Sequence, residues 1–270
     1  MDRMPGGAQS HLMLCSDKNL YVVKFQNNPQ HLRVLSNELL ASRLARELGL
    51  TVPDCEVVEV ADWLIEQTEE LDIGIRGGRE RCRSGLHFGS RFVGGLMPGR
   101  VVDYPDQEVL LDLTNLQEFA GMLALDKWTG NIDGRQAVFA KGSRETRFTA
   151  YFIDQGFCFN AGKWRFEDAP LRGVYYERCV YSHVDGWNSF EPWLSRIESM
   201  DSEKIWRIAK HVPPEWTCGE GQTLDGLVEQ LVRRRTLVRE LIADFRDTSR
   251  SPFPKWSAAL DDALDRNQRT

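Results

Sequence analysis

The pairing of Asp126-Lys-Trp-Thr-Gly-Asn131 with a later Ile153-Asp154-Gln-Gly156 constrains this chain more than any other feature. An aspartate with an asparagine five positions on, then an aspartate at a strand end before a small turn, is an oxygen set with a known use. It is what magnesium-dependent phosphoryl transfer from ATP requires. One carboxylate orients the acceptor hydroxyl and takes its proton. The asparagine amide oxygen and the second carboxylate hold the Mg2+ that bridges the phosphates. On this reading Asp126 is the base, and Asn131 and Asp154 are the metal ligands. D-x4-N alone is a weak pattern that many chains contain by chance. It gains weight from the strand before Asp154 and from an upstream glycine loop and lysine.

Composition removes several function classes. The chain has 270 residues and a mass of 31.0 kDa, room for one large domain or two small lobes. A net charge of -6 argues against a mainly nucleic-acid-binding role. No run approaches the roughly 20 apolar residues that span a bilayer. The start, MDRMPGGAQSHLML, lacks the apolar core of a signal peptide, so a cytoplasmic protein is expected. Cys15, Cys55, Cys82, Cys158, Cys179 and Cys218 are scattered with no CxxC pair, which reads as reduced thiols. The histidines have no zinc-ligand spacing.

Periodicity supplies the frame. Residues 10–15 and Leu20–Phe25 read as a β-hairpin around Asp17-Lys18-Asn19. Ser36 is the expected N-cap and Gly49 the expected stop of a helix whose Leu39, Leu40, Leu44, Ala45 and Leu48 share a face. A strand follows at Glu56–Val60. Residues 66–86, polar and rich in Gly and Arg, read as a surface loop. Residues 87–93 are strand-like again. Gly94-Gly95 and Pro98-Gly99 then mark a lobe boundary near residue 95. Beyond it, Thr114 or Asn115 is the expected cap of a helix reaching Trp128. Residues 136–139 and 149–154 read as short strands around Lys141-Gly142-Ser143. Residues 190–199, 201–211 and 223–246 read as helices, the last with Arg233-Arg234-Arg235 on a solvated face. The fold class is α+β, with a β-rich lobe over residues 1–95 and a mostly helical lobe over 96–270.

The chemistry falls on this frame in a telling order. Pro5-Gly6-Gly7-Ala8-Gln9 precedes the first strand, and glycines let backbone N–H groups approach a phosphate. Lys24, between Val23 and Phe25 in the next strand, can reach phosphates under such a loop. Glu38, early in the following helix, can pair with it. Each has a plainer alternative: a loose tail, a surface lysine, a helix first-turn charge.

At this point the residues resemble a family. Gly7-Ala8-Gln9 before a hairpin, Val-Val-Lys24-Phe, Asn37-Glu38 opening a helix that ends Glu-Leu-Gly-Leu-Thr-Val-Pro53, and Asp126…Asn131 resemble the HipA-like kinases. These are bacterial serine/threonine kinases with a fold akin to that of the phosphatidylinositol 3/4-kinases. The resemblance covers roughly residues 5–160. It implies a two-lobed kinase with ATP and Mg2+ between the lobes, and Gly6, Gly7, Ala8 and Gln9 on the phosphates with Lys24. Asp126 would be the base, with Asn131 and Asp154 on the metal. Ser90-Arg91-Phe92-Val93 resembles the strand that meets the adenine, which puts Arg91, Phe92 and Val93 at the base. A protein acceptor and an antitoxin-like partner are implied too.

The chain also departs from the pattern. The best-known members carry a small domain ahead of the kinase core, for which a glycine loop at residue 5 leaves no room. A histidine often follows the catalytic aspartate by two positions; after Asp126 that position is Trp128. The regulatory serine ahead of the loop is absent, with Met4 nearby. The expected function is ATP- and Mg2+-dependent phosphorylation of a protein Ser/Thr hydroxyl. The alternatives are a lipid or small-molecule kinase, and a catalytically silent kinase fold that binds a nucleotide or a partner.

Overall fold

Half-buried alternation writes an antiparallel sheet into the N-terminal part of the chain. The computed structural model describes residues 2–3, 7–94, 99–218 and 223–256. Its first elements are β1 (Asp2–Arg3), β2 (His11–Leu14), β3 (Leu20–Lys24), α1 (Arg33–Glu47), β4 (Cys55–Val60), α2 (Asp62–Gln67), β5 (Asp72–Ile75), β6 (Gly78–Arg81) and β7 (Gly85–Arg91). Five strands pair in the order β1-β2-β3-β7-β4. The register sets Lys24 opposite Phe88, and Val57 opposite Phe88 on its other side.

Helix α1 is buried almost all round, from Arg33 through Ala45. A helix with no wet face is packed between layers. One side lies on β4 and β7, the other on the turn at residues 158–163 and on Trp216. Its start corrects the sequence reading. The helix begins at Arg33, and Ser36 lies inside it, donating its hydroxyl to the Trp216 carbonyl at 3.1 Å. The cap comes from upstream: Asn28 Oδ1 accepts from Gln30 N (3.0 Å), and His31 Nδ1 accepts from Arg33 N (3.0 Å). The stop stands as expected. Gly49 takes a left-handed φ of +76°, and Leu50 N reaches back to Ala45 O at 3.0 Å.

Residues 66–86 are not an unstructured loop. They hold the end of α2 and the β5–β6 hairpin, turned at Arg76-Gly77 with Gly77 at φ +103°. The reason is a second small core. Leu71, Ile73 and Cys82 are buried against Phe25, Val23 and Met13 on one face of the sheet.

The second lobe contains β8 (Gly99–Val102), α3 (Gln107–Leu111), α4 (Glu118–Thr129), β9 (Gln136–Gly142), β10 (Thr149–Ile153), α5 (Trp193–Glu198), α6 (Ser202–Ala209), α7 (Leu224–Arg234) and α8 (Val238–Arg246). A three-stranded sheet, β10-β9-β8, faces the cleft, and the helices gather round α4. From Phe119 to Thr129 every residue of α4 is buried. Its expected cap, Asn115, instead bridges to β10 through both atoms of the Ala150 peptide, at 2.9 Å each. The single helix expected over 223–246 is two, separated by a 3₁₀ turn at Arg235–Leu237. Arg234 explains part of this. It is not on a solvated face: its guanidinium holds the Lys127 and Trp128 carbonyls at the end of α4, and Asp168 at 2.7 and 2.8 Å.

The fold is α+β and two-lobed, as read from the sequence. The expected boundary at residue 95 lies outside the described residues. Among the described residues no helix is long and apolar enough to cross a membrane.

Candidate active site

Strand β3 ends at the centre of the molecule, and its last residue decides the site. Lys24 is buried, with its ammonium between two carboxylates, Glu38 of α1 and Asp154 at 2.8 Å. Asp154 follows β10 with a left-handed φ of +61°. Glu38 also accepts from the Gln155 backbone N–H at 2.9 Å, so it fixes the lysine and the Asp-Gln-Gly turn together. Burial alone lowers the Lys24 pKa, but Glu38 and Asp154 reverse this and raise it overall. Burial works against ionised Asp154 also, and Lys24 more than offsets it, so its pKa is lowered. Glu38, deeper, is pushed upward by burial against the pull of Lys24.

These groups line a cleft of about 330 Å³ between the lobes. Gly7, Arg91, Phe92 and Val93 line it as well, with apolar walls from Val22, Pro53, Phe88, Val101 and Phe152. An apolar slot with a few convergent charges is the usual form of a small-ligand site. Arg91 sends its guanidinium to Asn19 (2.8 Å) and Asp54 (3.4 Å) at the rim. Of the glycine loop, Gly6 lies outside the described residues. Ala8 is buried. Gln9, at φ +50°, turns its amide away from the cleft onto Gly74: Nε2 donates to Gly74 O at 2.8 Å, and Gly74 N donates to Oε1 at 2.6 Å. Its side chain is a clamp on the β5–β6 hairpin.

The expected catalytic pair is placed elsewhere. Asp126 does not stand on an exposed loop at the cleft. It is 1% exposed, in the last turns of α4. The Arg135 guanidinium grips both its oxygens, Nε to Oδ2 at 2.9 Å and Nη2 to Oδ1. Asn131 Nδ2 adds a third bond, to Oδ1 at 3.0 Å. Asn131 is equally buried, and its amide oxygen accepts from Asp133 N at 3.1 Å. Both residues border a separate hollow of about 50 Å³ beside Lys127 and Asp168. The physical reason is Arg135: a guanidinium this deep needs a carboxylate. Asp126 supplies it, and the pair raises the arginine's pKa.

Two polar residues that the sequence reading did not single out line the cleft. Asp133 is exposed and lines it, and so does Gln136. Gln136 opens β9 opposite Ile153, the residue before Asp154. Arg135, between them, donates Nη1 to the Ile153 carbonyl at 2.7 Å and to Gln155 Oε1. One guanidinium thus ties the end of α4, the loop bearing Asp133 and the Asp154 turn. The available signal was positional: Asp133-Gly134 sits immediately ahead of a strand, where turn chemistry keeps side chains at the surface. Counted from Asp133, the residue two positions on is Arg135. Trp128 belongs to the core, its indole donating to Leu231 O at 2.9 Å.

Asp154 and Gln136 offer hard oxygens, a fit to a hard divalent cation. Among the described residues no cluster of three or more His, Cys, Asp or Glu could hold a metal by itself. Such a site suits a cation held chiefly by a ligand's own phosphates and by water.

Comparison with known proteins bears on the fold and the family. A family model, the HipA-like kinase, matches residues 2–143. No curated protein sequence matches the chain. Among solved structures, the Helicobacter pylori proinflammatory kinase CtkA is similar over 90% of this chain and 91% of its own, with a TM-score of 0.52 at 14% identity. Hydra Fam20 with sugar matches over 90% and 83%, with a TM-score of 0.52 and 12% identity. The Golgi casein kinase with Mn/ADP bound matches over 92% and 73%, with a TM-score of 0.51 and 12% identity. At such identities the structures speak for the fold. The family match extends over more than half the sequence, and on that ground the chain belongs to the HipA-like kinases and is a phosphotransferase.

Proposed function

We propose that the protein moves the γ-phosphoryl group of ATP, carried with Mg2+, to a Ser/Thr hydroxyl of a protein, with Asp133 as the base. The observation that carries this reading is the lysine between Glu38 and Asp154 in a cleft that an exposed aspartate, Asp133, also lines. Phosphoryl transfer needs little covalent help from the protein, so placement and charge neutralisation dominate.

Each residue then has a task. Lys24 meets the phosphates, and Glu38 keeps it from following them out. The apolar walls beside Phe92 and Val93 take the base. Asp154 and Gln136 would hold the cation, which neutralises charge on the transferring group when bound. Asp133 orients the acceptor hydroxyl and takes its proton at a carboxylate oxygen. Asp126 and Asn131 act from behind by holding the loop.

One observation favours a second reading, the catalytically silent fold. The residue five positions after Asp133 is Val138, which lines the cleft and offers no oxygen to a metal. Labelled ATP with Mg2+ and a panel of acceptors separates the readings. Transfer to protein by the natural chain, lost in Asp133→Asn with ATP binding kept, is the expected result. Transfer to lipid or metabolite moves the acceptor class, and tight binding without transfer supports the silent fold.

A further inference from the structure

A second, wider hollow of about 830 Å³ adjoins the nucleotide cleft, and the two share Gln30 and Phe157 as wall residues. The loop bearing Asp133 divides them. Asp133 lines the cleft and its neighbour Ile132 lines the hollow, so a chain lying in the hollow reaches the carboxylate at the shared wall. Val34, Ile132, Phe157 and Ala161 make an apolar floor.

The floor's outer turn is built under strain. Phe159, Asn160 and Ala161 take left-handed φ values of 58°, 57° and 53° in succession, where non-glycine residues rarely sit. Buried Asn37 holds the turn in place. Its Nδ2 donates to the Gly156, Cys158 and Ala161 carbonyls, at 2.7, 3.0 and 3.0 Å, and its Oδ1 accepts from the Trp164 indole at 2.8 Å. Strain so thoroughly supported gathers at ligand-contacting segments.

The rim is rich in donors. Lys163 is largely exposed, and Arg172, whose Nη1 donates to the Glu167 carbonyl at 2.6 Å, lines the hollow too. His31 spends Nδ1 accepting the Arg33 N–H, which leaves the hydrogen on Nε2. Among the lining residues the sole carboxylate is Glu167, 4.0 Å from Lys163. A rim of this sign is unexpected on a chain of net charge -6.

From this arrangement we infer that the hollow is the acceptor site of the kinase and takes an extended polypeptide whose Ser or Thr is flanked by acidic side chains. The apolar floor takes the stem of the segment, Lys163 and Arg172 take its carboxylates, and the hydroxyl meets Asp133 over Phe157. The inference rests on the kinase reading above for its use of Asp133, but its binding claim stands on the hollow alone.

The test uses the full chain and two fluorescent serine peptides, one flanked by glutamates and one by lysines, read by anisotropy with and without ATP and Mg2+. The acidic peptide is expected to bind about tenfold or more tightly at low salt, with the preference falling as salt rises. Lys163→Glu, at an exposed position, should erase that preference and leave ATP affinity unchanged; Lys163→Glu with Arg172→Gln should deepen the loss, with thermal melts reporting on folding. Equal binding of both peptides, no binding of either, or a preference untouched by Lys163→Glu would overturn the inference. Failure to bind ATP, with the peptide preference intact, would instead remove the kinase reading and leave the groove.

Discussion

A carboxylate locked to a buried guanidinium and a carboxylate exposed on a cleft wall answer differently when their charge is removed. Asp126→Asn leaves Arg135 charged with no anion beside it. The expected cost is about 3–5 kcal/mol of stability, the figure for breaking a buried pair from one side. A denaturant titration reads it as a lower midpoint, and ATP affinity should fall only as far as the fold does. Asp133→Asn should leave the melt within about 0.5 kcal/mol, as surface changes do, and lower transfer by ~10²–10⁴. Identical melts for the two variants would contradict this division. The proposed base, Asp133, lies in the segment that the sequence singled out, but it is not the aspartate that the spacing picked. D-x4-N spacing is satisfied by Asp126 and Asn131, but spacing cannot say which of two aspartates flanking Asn131 points outward. That depends on Arg135, whose demand for a carboxylate appears only once α4 and β10 are in contact. The grouping of Lys24, Glu38 and Asp154 was legible because the first two lie on regular elements and Asp154 directly follows one. Gln9 was not, because its partner, Gly74, lies on a hairpin that polar composition hid.

At the scale of elements, α4 and α5 meet at a glycine. A Cβ added at Gly121 would come within 2.2 Å of the buried Trp193 ring. Gly121→Ala should therefore destabilise by about 1–3 kcal/mol through overpacking, despite alanine's better helix propensity. An unfolding curve with a lower midpoint and unchanged slope is the expected result; a stabilised variant would mean that the helices slide apart at little cost. Elements with a clean period came through from sequence: β3, α1 and the β9–β10 hairpin all lie within a few residues of expectation. The β5–β6 hairpin did not, because its few apolar residues, Leu71, Ile73 and Cys82, are set among charged neighbours and turn to a satellite core, not the main one. The break between α7 and α8 was hidden in the same way. The apolar stripe continues through it, while buried Arg234 belongs to contacts across the molecule.

For the molecule as a whole, one buried cation makes stability depend on pH. Lys127 donates to the Pro170 and Arg172 carbonyls at 2.8 and 2.7 Å, and burial lowers its pKa to about 8, with Asp126, Asp168 and Asp244 opposing the shift. The folded value lies below the unfolded one, so between them the unfolded chain binds more protons. Below about pH 8 the penalty is present in full. It is relieved as pH climbs toward the unfolded pKa of about 10.4, a gain of order 3 kcal/mol. Unfolding free energies from pH 7 to 10 should show this rise in the natural chain relative to Lys127→Met, and parallel curves would exclude Lys127 as its source. The two-lobed architecture was readable from a strand-rich first part followed by a helix-rich remainder, whereas the charge balance inside α4 was not. The Gln9 amide, fastened to both polar atoms of Gly74, has a further meaning for the whole N-terminal lobe. Gln9 held this way does not shift independently of Gly74; it moves when the β5–β6 hairpin moves with it. Nucleotide occupancy should therefore be legible in deuterium uptake at Gly74, an amide outside the cleft that slows its exchange when the cleft is filled and recovers its free rate in Gln9→Ala.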